Sequence, residues 1–260
     1  MSTQPTPNAF EWPGGRRGAI SLTFDDARFS QIDRGIPILD RYGVKATFYV
    51  SMKGVEKRLD GWRAAVANGH EIGNHTVNHP CSINFPFIQP ERALENYTLE
   101  RMDADLAGAN EAIRSALGVT PETFAYPCGQ TFVGRGERLH SYIPLVARRF
   151  IVGRAAFNET PNRPELCDLA QATSFDVDCA SIERVRELAE MTIQRNAWAI
   201  LMSHETADTG RRQTLSLGTL EALCQLLGER RHEIWVDTAA AVGRFIRGKR
   251  AGQSSAPLHL

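Results

Sequence analysis

Strand-like and helix-like segments alternate along the chain, and this alternation limits the possible folds more than any other feature of the sequence. Apolar runs rich in β-branched and aromatic residues are typical of buried strands, and the segments between them have helix-forming composition. The predicted strands cover residues 18–24, 45–51, 71–73, 123–126, 197–202 and 233–236, and the predicted helices cover residues 32–42, 61–67, 91–117, 182–195, 215–227 and 238–246. This order predicts a parallel sheet covered by helices, as a barrel or as an open doubly wound sheet.

Residues able to carry chemistry come directly after several of the predicted strands. They are Asp25, Asp26, His75, His79, the segment 127–129 and His204. In a barrel, the C-terminal ends of the parallel strands share one rim, and active sites are built there. We therefore expect these side chains to meet at one end of the sheet.

Two short motifs contain the strongest chemical signal. The first places two adjacent carboxylates, Asp25 and Asp26, after an apolar strand. The second places His75 and His79 four residues apart, so that on a helical turn both imidazoles point to the same side. Two histidines and one carboxylate make a metal triad that leaves a coordination position open for water or substrate. The second carboxylate is then available as the base of a metal-dependent hydrolase.

These motifs resemble those of the polysaccharide deacetylases of carbohydrate esterase family 4, also called the NodB-homology domain. The family motif Thr-Phe-Asp-Asp stands intact at residues 23–26, and the motif His-Ser/Thr-x-x-His stands intact at residues 75–79. His204 matches the Leu-x-His motif with the spacing shifted by one residue, and residues 235–238 resemble the usual closing strand. The resemblance covers about residues 18–246 and implies a distorted (β/α) barrel with fewer than eight complete units.

The resemblance also implies a role for each residue of these motifs. Asp26, His75 and His79 would be the ligands of a divalent metal, most often zinc. Asp25 would be the general base, and His204 would be the general acid. The implied reaction is the removal of N- or O-acetyl groups from a carbohydrate by a water that the metal activates.

The third family motif, Arg-Pro-Pro-Tyr-Gly, is altered in this chain. Ala125 stands in place of the arginine, and Cys128 stands in place of the tyrosine. The backbone N–H of Cys128 can still donate to an oxyanion, so Cys128 is a candidate substrate-binding residue. Loss of the arginine is more serious, because a positive charge helps to keep the base ionised. Arg135 or Arg138 is a candidate replacement.

The fourth family motif, Arg-x-x-Asp-Trp, has no clear match, so the residue that orients the acid remains open. Asp176 and Asp178 are the nearest candidates to support His204, and the sequence does not choose between them. Both are also typical of turn or cap positions. The arginines that follow the altered third motif are typical of a solvated face; they are Arg135, Arg138, Arg148, Arg149 and Arg154. The departures imply a variant subfamily with its own substrate.

Each signal has a simpler structural explanation when it is taken alone. Adjacent aspartates after a strand often cap the next helix, and a histidine at a strand end is often a buried structural residue. Their combination in the family's order favours the metal hydrolase. Two further functions stay open: hydrolysis of a ring amide or another non-sugar C–N bond on the same scaffold, and carbohydrate binding by an inactive homologue.

Composition restricts the partners. The chain has 30 basic and 30 acidic residues, so charge does not favour nucleic acid or an anionic membrane surface. No apolar run approaches the length needed to cross a bilayer. The expected partner is therefore an acetylated carbohydrate substrate, with no nucleic acid and no membrane, and the sequence is silent on the oligomeric state.

Cysteine usage and the chain ends complete the expectations. The cysteines are odd in number and lack close pairing, which predicts no disulfide framework and no cysteine zinc site; they are Cys81, Cys128, Cys167, Cys179 and Cys224. The cysteine pattern and the absence of a signal pattern in residues 1–10 together predict a reducing, cytoplasmic location. We expect a flexible lead-in at residues 1–15, a single catalytic domain at residues 16–248 and a frayed tail at residues 249–260.

Overall fold

Strand β1 (Gly18–Asp25) lies at the centre of a parallel sheet and is buried along its whole length. The structure is a computed structural model that describes residues 10–208 and 212–254. On one edge, β1 pairs with the strand Trp198–Ser203. On its other edge, the first residues of β1 pair with Ile234–Val236 and the last residues pair with Thr47–Val50.

The strands and helices alternate as the sequence predicts. The remaining strands of the described residues are β2 (Thr47–Val50), β3 (Glu71–Asn74), β4 (Thr123–Ala125), β5 (Phe132–Val133), β6 (His140–Ser141), β7 (Val152–Arg154), β8 (Phe175–Asp176), β9 (Trp198–Ser203), β10 (Glu205–Thr206), β11 (Thr214–Leu215) and β12 (Ile234–Val236). The α-helices are α1 (Ile36–Arg41), α2 (Met52–Glu56), α3 (Leu59–Ala67), α4 (Leu99–Leu117), α5 (Ile143–Arg149), α6 (Ile182–Gln194), α7 (Leu217–Glu229) and α8 (Ala239–Ser254).

The main sheet is parallel throughout and curls into an incomplete barrel. Its strand order is β7-β4-β3-β2-β1-β9-β8, with β12 added beside β1. Its two ends approach each other because Arg154 at the end of β7 bridges Ala172, shortly before β8 begins. The distorted (β/α) barrel is therefore confirmed, and the alternative of an open doubly wound sheet is not adopted.

Period-two alternation along β1 explains how an apolar strand delivers an acid to the barrel interior. Ile20, Leu22 and Phe24 belong to the large core between the sheet and the outer helices. The residues between them point the other way because successive side chains of a strand alternate between faces. Ser21 accepts a hydrogen bond from the Trp198 indole on this inner face, and Asp25 continues the inner series.

The sequence misplaces several element boundaries. The helix expected over residues 91–117 begins only at Leu99, because the Thr98 hydroxyl accepts from the Arg101 N–H and so caps α4. Residues 90–96 form two short 3-10 turns instead. Helix α5 and strands β7 and β8 were not predicted, since each is short.

Both expected chain ends need correction. Phe10 and Trp12 are buried and pack near Trp235 and Phe245, so the flexible lead-in does not extend to residue 15. At the other end, α8 continues to Ser254, so residues 249–254 are helical rather than frayed. Residues 1–9 and 255–260 lie outside the described residues. Within the described ranges, no helix has the length and apolarity to cross a membrane.

Candidate active site

The carboxyl ends of the central strands open into a cleft of about 880 Å³. The structure brings all the predicted site residues to this cleft, although they come from distant parts of the chain. They are Asp25, Asp26, His75, His79, Cys128 and His204. The expectation that strand-end residues meet at one rim therefore holds for all six.

Asp26 is the first residue after β1, and its backbone bends sharply there. Its φ of 73° lies in the left-handed region, which Asp tolerates better than most residues. The Arg28 side chain donates to Asp26 Oδ2 at 2.9 Å. The other oxygen, Oδ1, lies 3.6 Å from His75 Nε2 and 3.5 Å from His79 Nε2.

His75 and His79 lie on an irregular loop after β3, so the predicted helical turn is wrong. The backbone φ is 64° at Thr76 and 48° at His79, which a right-handed helix excludes. Polar side chains hold the loop: Asn74 accepts from the Thr76 N–H at 2.7 Å, and the Thr76 hydroxyl accepts from the His79 N–H at 2.9 Å. The buried Asp105 accepts from the Val77 N–H at 2.6 Å. The two imidazole rings still meet, with centroids 4.8 Å apart.

The three side chains fit a zinc ion. His75 Nδ1 donates to the Ala125 carbonyl at 2.9 Å, which leaves the lone pair of Nε2 free for a metal. The distances of 3.5 and 3.6 Å from Asp26 to the two histidines are close to the ~3.4 Å edge of a tetrahedron with bonds of about 2.1 Å. Two neutral imidazoles and one carboxylate are also the donor set of catalytic zinc sites.

Electrostatics keep these groups in the protonation state that a metal requires. Burial opposes the charge of Asp26, but His75, His79 and Arg28 outweigh burial and lower its pKa to about 2. Burial and the neighbouring His75 lower the pKa of His79 to about 4. Near neutral pH, Asp26 is thus a carboxylate and His79 a neutral imidazole, both able to bind a cation.

Asp25 is buried beside a positive charge that the sequence analysis did not locate. Arg154 Nη2 donates to both carboxylate oxygens, at 2.6 and 2.5 Å, and the Arg154 side chain is only 1% exposed. The assignment of Arg154 to a solvated face is therefore wrong. Arg135 and Arg138 line a separate depression beside the start of α4, so neither replaces the motif arginine.

The position of Arg154 explains how the altered third motif is compensated. Ala125 on β4 lies directly opposite Arg154 on β7 in the parallel pairing. The positive charge has therefore moved across one strand while still reaching Asp25. An arginine closing the apolar run Ile151–Gly153 is a sequence signal for a buried cation, because such runs seldom carry a charge inside a barrel.

Asp178 is the residue that holds His204. Its Oδ2 lies 2.6 Å from His204 Nδ1, and its Oδ1 accepts from the His204 N–H at 3.1 Å and from the Ser203 hydroxyl at 2.6 Å. Asp176 instead accepts from the Asp178 N–H and so supports the turn. Burial opposes protonation of His204, but the hydrogen bond to Asp178 and the charge of Asp25 outweigh burial and raise its pKa.

Gln31 joins the ends of the strands that carry Asp25 and His204, and no sequence signal predicted this role. Its side-chain amide donates to the backbone carbonyl of Asp25 at 2.6 Å and to that of His204 at 2.8 Å. Gln31 is fully buried on a π-helical turn after β1. It therefore fixes the ends of β1 and β9 relative to each other.

Cys81 and Cys128 form a disulfide, so the prediction of no disulfide pairing is wrong. The two residues are 47 positions apart, with Cα atoms separated by 6.1 Å. Sequence spacing could not reveal the pair, because it forms only when the loops after β3 and β4 meet at the rim. Cys128 has a φ of 53°, so the candidate oxyanion residue lies on a strained turn that the disulfide anchors.

Comparison with known families agrees with this geometry. Residues 3–135 match the family described as polysaccharide deacetylase, and this stretch is half of the chain. The chain belongs to the polysaccharide deacetylase family. The matched stretch includes both motifs that supply Asp25, Asp26, His75 and His79.

Similar proteins include one named as a chitin deacetylase and one named as a pseudoenzyme. Chitin deacetylase 1 of Cryptococcus neoformans var. grubii is 32% identical over 108 residues, which are 42% of this chain and 20% of that protein. A Mycobacterium smegmatis structure assigned to the polysaccharide deacetylases superposes with a TM-score of 0.69 at 17% identity, covering 98% of both chains. A family 4 pseudoenzyme from Bacillus anthracis gives a TM-score of 0.53 at 18% identity, covering 88% of this chain and 66% of its own. The chain spans between 10% and 27% of the length of curated relatives that it matches.

Proposed function

We propose that this polysaccharide deacetylase-family chain is a metal-dependent hydrolase that removes N- or O-acetyl groups from a carbohydrate. One observation carries the proposal: Asp26, His75 and His79 converge in a cleft that also contains Asp25 and His204. Three ligands with a base and an acid beside them form the minimum set for hydrolysis of an amide or ester.

Asp26, His75 and His79 are the residues that would hold the metal. When bound, a zinc ion supplies a Lewis acid that makes water nucleophilic at neutral pH and polarises the acyl oxygen. Asp25 is the last residue of β1 and directly precedes Asp26, so it can accept the proton of the attacking water while Asp26 stays on the metal. Arg154 holds the Asp25 carboxylate in place and stabilises its negative charge.

His204 completes the reaction by protonating the leaving amine or alkoxide. Asp178 binds Nδ1, which leaves Nε2 to face the cleft and stabilises the imidazolium. The raised pKa of His204 keeps the proton available near neutral pH. The backbone N–H of Cys128 is the proposed second donor to the oxyanion.

The aromatic side chains that line the cleft favour a carbohydrate as the substrate. Phe29, Phe87 and Phe157 line it and remain 40%, 52% and 69% exposed. Exposed apolar rings that border a polar cleft are typical of a ligand-binding groove. Such rings offer flat apolar surfaces to the C–H faces of sugar units while the polar floor carries the chemistry.

The inactive alternative receives less support than the enzyme. A decayed site is expected to lose a ligand, the base or the acid first, and this chain retains all five residues in one cleft. The base also retains a cationic partner, because Arg154 compensates for Ala125. These observations favour turnover over binding alone.

Acetate release from acetylated chito-oligomers, peptidoglycan fragments and acetylated xylan tests the proposal. Each substrate is assayed with added zinc and with a chelator. We expect zinc-dependent acetate release on at least one glycan. Release from no glycan by folded, zinc-loaded protein would contradict the proposal. Glycan binding without release would then favour the inactive homologue, and turnover of a ring amide would favour a non-sugar substrate.

The Cys81–Cys128 disulfide also bears on the compartment. Disulfides persist mainly in oxidising environments, so this pairing favours such a compartment over the cytoplasmic location expected from the cysteine count. Alkylation of freshly isolated protein, denatured without reductant so that buried thiols are also reached, tests this point, because a formed disulfide protects Cys81 and Cys128 from modification. Modification of both cysteines under these conditions would restore the cytoplasmic interpretation.

A further inference from the structure

The Cys81–Cys128 disulfide joins the two loops that carry a metal ligand and the oxyanion donor. Cys81 follows the ligand His79 by two residues, and Cys128 lies on the turn after β4. The disulfide therefore sits beside the metal centre rather than at a distant part of the fold. Its position raises the question of what the two sulfur atoms do when they are not bonded to each other.

His79, Cys81 and Cys128 form a second group of potential metal ligands. Their ligand atoms all lie within 4.8 Å of one another, as do those of Asp26, His75 and His79. His79 belongs to both groups. Two thiolates and one imidazole are a typical zinc donor set, and thiolates bind zinc more strongly than carboxylates do.

The His79 ring presents a different nitrogen to each group. Its Nε2 faces Asp26 Oδ1 at 3.5 Å, and its Nδ1 faces Cys81 Sγ at 3.6 Å. A neutral imidazole has one nitrogen with a free lone pair, and the other carries the proton. Binding of a metal through Nδ1 therefore removes the Nε2 lone pair from the Asp26–His75–His79 site.

We propose that reduction of the Cys81–Cys128 disulfide creates a thiolate metal site, formed by His79, Cys81 and Cys128, that competes with the hydrolytic site for His79. The reductant is a dithiol or a phosphine. The S–S bond breaks, two electrons and two protons pass to the sulfurs, and the reductant becomes a disulfide or, with water, a phosphine oxide. Metal binding then releases the thiol protons. The proposal rests on the proposed hydrolytic metal site.

The two cysteines differ in burial, so a reductant can approach the disulfide from one side. Cys81 is fully buried with Ile88 and Ala93, whereas Cys128 is partly exposed and lines the cleft. A reductant can therefore approach the disulfide from the cleft, on the side of Cys128. A bound substrate would cover Cys128 and protect the disulfide.

Cobalt(II) is the probe that tests the proposal, because thiolate ligation of cobalt produces intense near-ultraviolet charge-transfer absorption. Oxidised and phosphine-reduced full-length protein are each titrated with cobalt. We expect cobalt binding without this absorption in the oxidised protein and with it in the reduced protein. The reduced protein should also release acetate more slowly than the oxidised protein at equal metal content.

Matched variants assign the absorption to its ligands. In the double variant Cys81→Ser/Cys128→Ser the absorption should be absent, and the reductant should no longer slow turnover. The control Cys167→Ser removes a half-buried cysteine outside the cleft and should behave like the parent chain. If the double variant does not fold, the single variant Cys128→Ser provides the same test, since it removes one of the two thiolates and leaves the buried Cys81 in place.

The possible failures are distinguishable. Reduced protein that binds cobalt without thiolate absorption would overturn the thiolate site and leave the proposed function intact. Oxidised protein that binds no cobalt would instead overturn the hydrolytic metal site. Absorption that survives in the double variant would assign the thiolate to another cysteine and would also overturn the proposal.

Discussion

The two sides of the cleft hold their functional residues by different means. On the side of the proposed metal site, here called the metal side, loop backbone in the left-handed region places Asp26 and His79, and the Ala125 carbonyl orients His75. On the acid side, one carboxylate, Asp178, holds His204 through its ring, its backbone N–H and its neighbour. The metal side therefore depends on local backbone shape, whereas the acid side depends on a single negative charge. Substitutions that remove a ligand and substitutions that remove a charge should thus act differently.

The largest effect is expected from His79→Ala, which breaks the metal side directly. The variant should lose bound zinc and turnover together, by more than the roughly 10- to 100-fold that loss of a residue behind the ligands costs. Zinc content and acetate release are the measurements. His140→Ala, at an exposed histidine, is the control and should retain both. A zinc-loaded, active His79→Ala protein would contradict the ligand assignment.

Asp25→Asn should separate catalysis from metal binding. The amide keeps the size of the side chain but cannot accept the proton, so we expect zinc content to stay the same and kcat to fall by about 10²–10⁴-fold. Steady-state kinetics on zinc-quantified protein measure the change. An unchanged kcat would remove Asp25 as the base.

Arg154→Met should show that the base depends on a buried charge. It leaves the Asp25 carboxylate buried without a partner, and breaking a buried ion pair costs about 3–5 kcal/mol of the free energy of unfolding. Arg149→Met is the matched control, because Arg149 pairs with Asp103 at 2.6 Å in a more exposed setting, where such pairs contribute about 0–1 kcal/mol. Urea unfolding measures both. Equal losses would contradict the role assigned to Arg154.

Asp178→Asn should shift the pH dependence of turnover. The Asn oxygen can still accept from His204 Nδ1, so the geometry is retained while the charge is lost. Because Asp178 helps to raise the pKa of His204, the acid should lose its proton at lower pH in the variant. The basic limb of the kcat/KM profile should therefore move to lower pH. An unmoved limb would show that another group is the acid.

The smallest effect is expected from a substitution of Glu71, a buried carboxylate at the start of β3. Glu71 lies at the end of the strand opposite the cleft, and unlike Asp25 it has no cationic partner. Burial raises its pKa, and its hydrogen-bond donors are the neutral Thr47, Thr123 and Ala240 rather than a cation. A raised pKa means that its stabilising contribution is complete below the ordinary value of about 4.3 and is lost as pH rises through the folded-state pKa.

Glu71→Gln should remove this pH dependence. Relative to the variant, the parent chain should lose about 1.4 kcal/mol above that range for each unit by which the pKa is raised. Urea unfolding at acidic and neutral pH measures the difference. Glu229→Gln, at an exposed glutamate that does not act on Glu71, is the control. A difference that does not change with pH would contradict this account.

The sequence predicts the parts of the site that rest on short, contiguous signals. Asp25 and Asp26 follow a predicted apolar strand, and His75 and His79 are four residues apart. Because the carboxyl ends of parallel strands share one rim, the sequence was enough to predict that these residues meet His204. The exact loop was not predictable, because the backbone that replaces the expected helical turn is held by a hydrogen bond to Asp105, which lies far away in the sequence.

The parts that the sequence does not reveal depend on contacts between distant residues. Arg154 reaches Asp25 across 129 positions, and its role follows only from its register opposite Ala125. The Cys81–Cys128 pair likewise requires two loops to meet. The choice of Asp178 over Asp176 turns on which side chain faces His204, and alternation along a two-residue strand is too short a pattern to decide that.

The central place of β1 has a consequence for the kinetics of metal exchange. Strand β1 is buried and paired on both edges, so its amide hydrogens should exchange with solvent only by global unfolding. The histidine loop after β3 is held by side-chain hydrogen bonds and by the Cys81–Cys128 disulfide rather than by strand pairing, so its opening does not require β1 to unfold. An ion at the proposed site would therefore leave through a local opening of that loop while Asp26 stays fixed at the end of β1. Asp26 would then be the first of the proposed ligands that the next ion meets.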